Sequence, residues 1–334
     1  MNRSRTIIFG LVFLCMSASL FSIEIKVGTT APAGSPWEFA LKELASRWET
    51  ESRGKVKLKI YMGGVAGSEE DMMRKIRIGQ LQGVVVTGNG LSTISSEFLS
   101  LILPMFIRSD AEIDYLFSRM GKRFESIVRE KGFAVVAWQQ IGWVYVFSRR
   151  PAPDPASLME MRLALPISDS SFQQIWKSMG FRVVPILTTD FMTSLQTGMV
   201  EAIINSPMVT AAYQWFPLAP YMNGIGFAPL MGALVLDKRT WERIPEDLRP
   251  RLQEIAREVI EPLSGDTRKL EMKAVEFMRG MGLSVVQPDD RVIEEWRTLC
   301  ESGYDNVIGK EISRDLFEEM KAILDEFRTL NSTD

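Results

Sequence analysis

The chain has 334 residues, a formal net charge of −3 and a pI near 5.5, with no histidine and only two cysteines, Cys15 and Cys300. That mild acidity argues against nucleic acid as a partner, because such binding depends on concentrated positive charge. Without histidine, Ser–His and Cys–His nucleophile pairs and histidine-held zinc are excluded; carboxylate-only and Ser–Lys chemistry stay open, but an enzyme starts at a disadvantage and no catalytic, cofactor or metal site is expected.

Residues 1–22 read as a secretory signal peptide: Arg3 and Arg5, then a run from Thr6 to Phe21 that is almost wholly apolar or small, with small-residue exits after Ser19 or Ser22. The run is too short and too rich in serine for a spanning helix, so cleavage and a periplasmic mature protein are expected. Lipid anchoring through Cys15 is disfavoured, because Phe13 and Leu14 precede it where a lipoprotein signal carries small residues. Cleavage leaves Cys300 alone, without a disulfide, and about 310 residues, enough for two lobes.

Alternation in Ile23–Gly28 marks a half-buried strand, and a Pro/Gly loop leads into an amphipathic helix from Trp37 to Glu51. A second alternating strand spans 56–61, a helix capped by Ser68 runs to about Ile78, and Val84-Val85-Val86 is a short strand buried on both faces. This βαβαβ order with short links predicts a doubly wound α/β lobe. After a helical stretch at 111–131, two strands at 133–139 and 143–148 are expected, divided by Gly142. Beyond a Pro-rich link at 151–155 the alternation resumes: strand 161–165, helix 170–179, strand 183–186, helix 190–197 and strand 200–204. A strand at 231–236 precedes a long helical segment from Pro245 to about Met281, which Pro262 should interrupt. The remaining residues read as charged, amphipathic helices.

Four local patterns, in this order, resemble the extracytoplasmic solute-binding subunit of TRAP transporters, the tripartite ATP-independent periplasmic (DctP-like) family. They are Gly67–Leu81, with its glycine turn, acidic helix start and G-x-L exit; Leu103-Pro104-Met105-Phe106; Ser194–Glu201, with Leu-Gln-Thr-Gly; and Leu236–Pro245, with Lys-x-x-Trp. The resemblance implies a two-lobed periplasmic-binding-protein-like α/β fold, each lobe a sheet flanked by helices, with hinge strands and a long connecting helix. On this reading lobe I comprises 23–143 plus about 231–270, and lobe II about 144–230 plus 271–334 with the C-terminal helices. It also implies a small-molecule ligand held between the lobes, membrane permease subunits driven by an ion gradient and, in some systems, an auxiliary helical-repeat periplasmic protein.

Members of this family hold a carboxylate ligand with two arginines, in a bidentate, charge-assisted pairing. Here the gapless register places Val144 at the hinge-strand arginine, Ala164 at the second-lobe arginine and Ile167 at a following polar position, while the family's asparagine persists as Asn205. An unpaired buried carboxylate costs several kcal/mol, so the expected ligand is apolar or amphipathic. The alternative keeps an organic-acid ligand with Arg162, two residues away on the same strand face, as substitute anchor. A sensor or assembly protein on the same fold is a third reading. Further ligand-site candidates are Trp37 after the first Pro/Gly loop, Asn89 after the third strand, Trp143 on the hinge strand, and Trp215 in an aromatic group with Tyr213 and Phe216. Glu69 and Glu70 are read as helix-start residues answering the helix dipole.

Overall fold

The computed structural model describes residues 22–167 and 170–331, with residue 89 described through its backbone alone. The expected signal peptide, apart from Ser22, and Cys15 lie outside the described residues. The chain opens with β1 (Ile23–Gly28), α1 (Pro36–Glu51), β2 (Val56–Tyr61), α2 (Glu69–Arg77) and β3 (Gly83–Thr87). Pro36 begins α1 where a missing N–H costs nothing. On that helix Ala40, Leu41, Leu44 and Trp48 recur at helical spacing and are buried. Ser68 and Asp71 form a reciprocal capping box at the start of α2.

Next come α3 (Gly88–Ile94), a 3₁₀ segment at Ser96–Ile102, α4 (Asp110–Glu130) and β4 (Phe133–Ser148). The second α/β unit contains α5 (Pro155–Met159), β5 (Arg162–Pro166), α6 (Ser170–Ser178) and β6 (Arg182–Ile186), then a 3₁₀ turn at Thr188–Asp190, α7 (Phe191–Gln196) and β7 (Ala202–Asn205). After α8 (Pro207–Ala212) and β8 (Tyr221–Asn223), the long β9 (Ala228–Asp237) returns to the first half. The chain ends with α9 (Lys238–Arg243), α10 (Arg249–Ile260), α11 (Leu263–Gly280), β10 (Ser284–Val286), α12 (Asp290–Tyr304) and α13 (Arg314–Asn331).

The strands lie in the order β2-β1-β3-β9-β4-β7-β5-β6, with β8 beside the end of β4 and β10 beside β8. Strands β1, β2 and β3 are mutually parallel, as are β5, β6 and β7, whereas β9 runs antiparallel to both β3 and β4. The expected break at Gly142 is absent: β4 is one strand whose first part pairs with β9 and whose end pairs with β7 and β8. A register shift between Gln140 and Gly142, with Gly142 at φ 138°, absorbs the bend without ending the ladder. This two-lobed α/β fold is thus joined through β4 and β9.

The interruption at Pro262 occurs as expected, separating α10 from α11. The helical segment starts differently, because α9 lies ahead of Pro245, with Asp237 accepting the Thr240 N–H at 3.0 Å. One face of the first half is sealed by α1 and α10, where Trp48 is fully buried and its indole donates to the Leu252 carbonyl at 2.9 Å. Removing such an aromatic side chain costs about 3–5 kcal/mol. The C-terminal segment 271–334 is divided rather than assigned whole to the second half: α12 packs on α5 and α6, while α13 packs on α4. Among the described residues no helix is long and apolar enough to cross a membrane.

Candidate functional site

Where the ends of β3, β5 and β7 meet the interior of β4 and the start of β9, a cavity of about 240 Å³ opens between the halves. Its walls are largely apolar: Val144, Leu165, Pro166, Phe172, Ile204 and Leu230 are among them, with Thr87, Thr188 and Asn205 as polar points. A second cavity of about 380 Å³ continues outward, sharing Thr87, Pro166 and Thr188, and is bounded by Glu69, Glu70, Ser92, Thr93, Ile167 and Leu187. Sheet geometry explains the convergence, since open α/β sheets bring the carboxyl ends of their strands to one crevice. No lysine or arginine lines either cavity among the described residues.

Three of the expected site residues meet here. Val144, paired with Ala228 on β9, and Asn205, paired with Tyr145 on β4, line the inner cavity. The Asn205 side-chain oxygen accepts the Ser206 N–H at 2.8 Å, and its amide donates to no protein group among the described residues. Ile167, 55% exposed, stands at the mouth and lines the outer cavity.

The others are placed elsewhere. Ala164 is fully buried in the second-half core with Phe147, Phe191 and Trp215, not in the cleft. Strand parity is the reason: Leu163 and Leu165 point to the face opposite Ala164, so Leu165 is the residue that reaches the cavity. Trp215 likewise belongs to that core, stacked on Tyr213 at 5.1 Å and tilted against Phe191 at 5.2 Å. Trp37 packs on the core beneath α1. Trp143 lines neither cavity; its indole donates to Asp110 Oδ1 at 2.8 Å. Asn89 lies on α3 beside the outer cavity's Gly90, and its side chain is outside the described residues.

Arg162 is pinned at the start of β5. Its guanidinium donates to the Met199 and Gly198 carbonyls, each at 2.8 Å, and pairs with Glu201 at 3.2 Å. Leu165 and Pro166, the cleft residues of the same strand, are three and four positions on, or about 10 and 13 Å at 3.3 Å per residue.

Glu69 does not simply answer the dipole of its own helix. Ser68 and Asp71 perform that capping, and the Glu69 carboxylate reaches across to accept the Thr87 N–H and hydroxyl at 3.1 Å and the Gly90 N–H at 3.0 Å. Burial pushes its pKa up, against the lowering pull of these donors, and the charge of Glu70 adds to the rise. Residue 90 must be small here, since a Cβ would lie 2.6 Å from Glu69 Oε2.

Behind the cleft, the β4 bend carries a second polar group. Asp110 accepts from Trp143 and Gln140 and pairs with Arg268 at 3.0 Å. Glu271 on α11 lies against Gly142, where a Cβ would come within 2.4 Å of Glu271 Oε1. Burial raises the Glu271 pKa to about 8, opposed by a bond from the Trp143 backbone and reinforced by the negative Asp110. Tyr145 is raised to about 12, first by burial and then by the charges of Glu271 and Asp110.

Residues 27–311 match the family described as "Bacterial extracellular solute-binding protein, family 7" (DctP). A solute-binding protein of Roseobacter denitrificans is 22% identical over 303 residues, covering 86% of this chain and 93% of that protein. The 2,3-diketo-L-gulonate-binding periplasmic protein YiaO of Escherichia coli is 21% identical, covering 94% of both chains. Among solved structures, a TRAP periplasmic solute-binding protein of Ochrobactrum anthropi superposes with a TM-score of 0.84 at 19% identity, covering 94% of this chain and 98% of that one. Another, from Chromohalobacter salexigens with bound D-glucuronate, gives 0.81 at 19%, covering 90% and 99%. With its family match spanning most of the sequence and its two halves meeting at a ligand-sized cleft, the chain belongs to the DctP-like family of TRAP extracytoplasmic solute-binding proteins.

Proposed function

We propose that this protein, once exported and freed of its signal peptide, captures a small apolar or amphipathic ligand between its lobes and delivers it to membrane permease subunits of a TRAP-type secondary transporter. It leaves the ligand chemically unchanged. The observation that carries the ligand assignment is the composition of the cleft walls: Val144, Leu165, Ile204 and Leu230 are present, and among the described residues neither lysine nor arginine lines them. A desolvated ligand carboxylate there would lack a cationic partner, at a cost of several kcal/mol. Apolar surface buried against these walls instead contributes roughly 25 cal/mol per Å². The acids named for the relatives therefore do not transfer to this chain.

The cleft reading is tested at Thr188, which is exposed and lines both cavities. Thr188→Trp should fill their junction and weaken binding of a small branched alcohol, 4-methylpentan-1-ol, at least tenfold by calorimetry. Unchanged affinity in the folded variant would move the site elsewhere. Arg162→Ala should leave that affinity within twofold, because Arg162 is held by Gly198, Met199 and Glu201 away from the cleft; a collapse of binding would restore Arg162 as an anchor.

A further inference from the structure

We propose that the ligand's polar head is a cation that donates hydrogen bonds, of the ammonium class, seated against Glu69 in the outer cavity while its apolar body occupies the inner one. This rests on the reading of the cleft as the ligand site and goes further by assigning the sign of the ligand's charge. Glu69 is held in place by three donors, the Thr87 N–H and hydroxyl and the Gly90 N–H, all neutral. Oε2 accepts from all three, whereas Oε1 shares only the Thr87 N–H, so of the roughly two acceptor directions on Oε1 one is open to a further donor.

Two other inward acids are answered by arginine: Glu112 receives Arg328 at 2.8 and 3.0 Å, and Asp110 receives Arg268 at 3.0 Å. Glu69, like Glu271 behind the β4 bend but unlike it in facing a cavity, has no basic partner among the described residues. Among the described residues the charge that acts on Glu69 is that of Glu70, which has the same sign. Both face the outer cavity, and among the described residues no basic side chain lines it. An ammonium head would supply the missing charge, and an acid head would be repelled. Because the two cavities share Thr87, Pro166 and Thr188, one molecule can span both.

The test uses three probes with one apolar skeleton: 4-methylpentylamine, 4-methylpentan-1-ol and 4-methylpentanoate, titrated into the mature protein at near-neutral pH. The amine should bind tightest and the carboxylate weakest. A charge-assisted hydrogen bond corresponds to roughly a ten- to hundredfold advantage of amine over alcohol. Glu69→Gln should remove most of that advantage. Ile167→Lys, at an exposed position on the same cavity, should lower the amine-to-alcohol ratio at least tenfold without touching the loop that Glu69 braces. The proposal is overturned if the carboxylate binds as tightly as the amine, or if both variants leave the ratio unchanged. If the ratio is unchanged while Thr188→Trp still blocks the alcohol, the charge assignment fails and the cleft reading stands. If none of the three probes binds, the cleft reading falls and takes this proposal with it.

Discussion

Replacing Glu271 by glutamine should make the protein more stable at alkaline pH while leaving it nearly unchanged in acid. The carboxyl is buried beside the β4 bend, one oxygen lacks a hydrogen-bond partner among the described residues, and its pKa rises from the ordinary 4.5 to about 8. Between those two values the folded chain retains a proton that the unfolded chain has released, so stability falls as pH rises through this window and levels off above the folded pKa. Below the unfolded value both states are protonated and the group contributes no pH dependence. At about 1.4 kcal/mol per pH unit, the full effect is on the order of 5 kcal/mol, and relaxation around the site should reduce it to about 2–4 kcal/mol. Urea denaturation of wild type and Glu271→Gln at about pH 5 and about pH 8.5 measures it. The variant should gain about 2–4 kcal/mol over wild type at the higher pH and differ by less than about 1 kcal/mol at the lower. A wild-type-to-variant difference that is the same at both pH values would refute the reasoning.

Two further perturbations test the frame around the cleft. Gly142→Ala places a Cβ within 2.4 Å of Glu271 Oε1 at a backbone φ of 138°; it should destabilise by about 2 kcal/mol or more, seen as a lower urea midpoint. Arg328→Ala strips the bidentate partner from Glu112, which is 4% exposed, and removes the tie from α13 to the Phe106 carbonyl. It should cost about 3 kcal/mol, because an inward charge is left unpaired; a loss below about 0.5 kcal/mol would show that the pair is no brace.

Local patterning carried much of the fold. Period-two alternation marked β1 and β2, the triple valine marked β3, and Pro262 marked the boundary between α10 and α11. Gly142 misled because a glycine that ends a strand and a glycine that bends one look alike in sequence; only the continued pairing of β4 with β9 distinguishes them. The two hinge-region wall residues Val144 and Asn205 were legible through the family pattern and line the cavity. Ala164 was not, because which face of β5 meets the cleft depends on how β5 sits between β6 and β7, and an error of one residue inverts the face. Trp215 and Trp37 were drawn toward the site by their loops, whereas packing placed both against cores. Phe172, Thr188 and Leu230 carry no local signal, since distant segments bring them together only in the folded chain. Glu69 was read from its position at a helix start, but its role comes from Thr87 and Gly90, about twenty positions on and across a tertiary contact.

The central claim is that the cleft receives a ligand that is not an acid. Its most direct test is mass spectrometry of the small molecules released by denaturing the mature protein purified from its native source. The account predicts a compound with an apolar body and no carboxylate, recovered at close to one per chain and lost in Thr188→Trp. A uronate, sugar acid or dicarboxylate recovered at that ratio would contradict it.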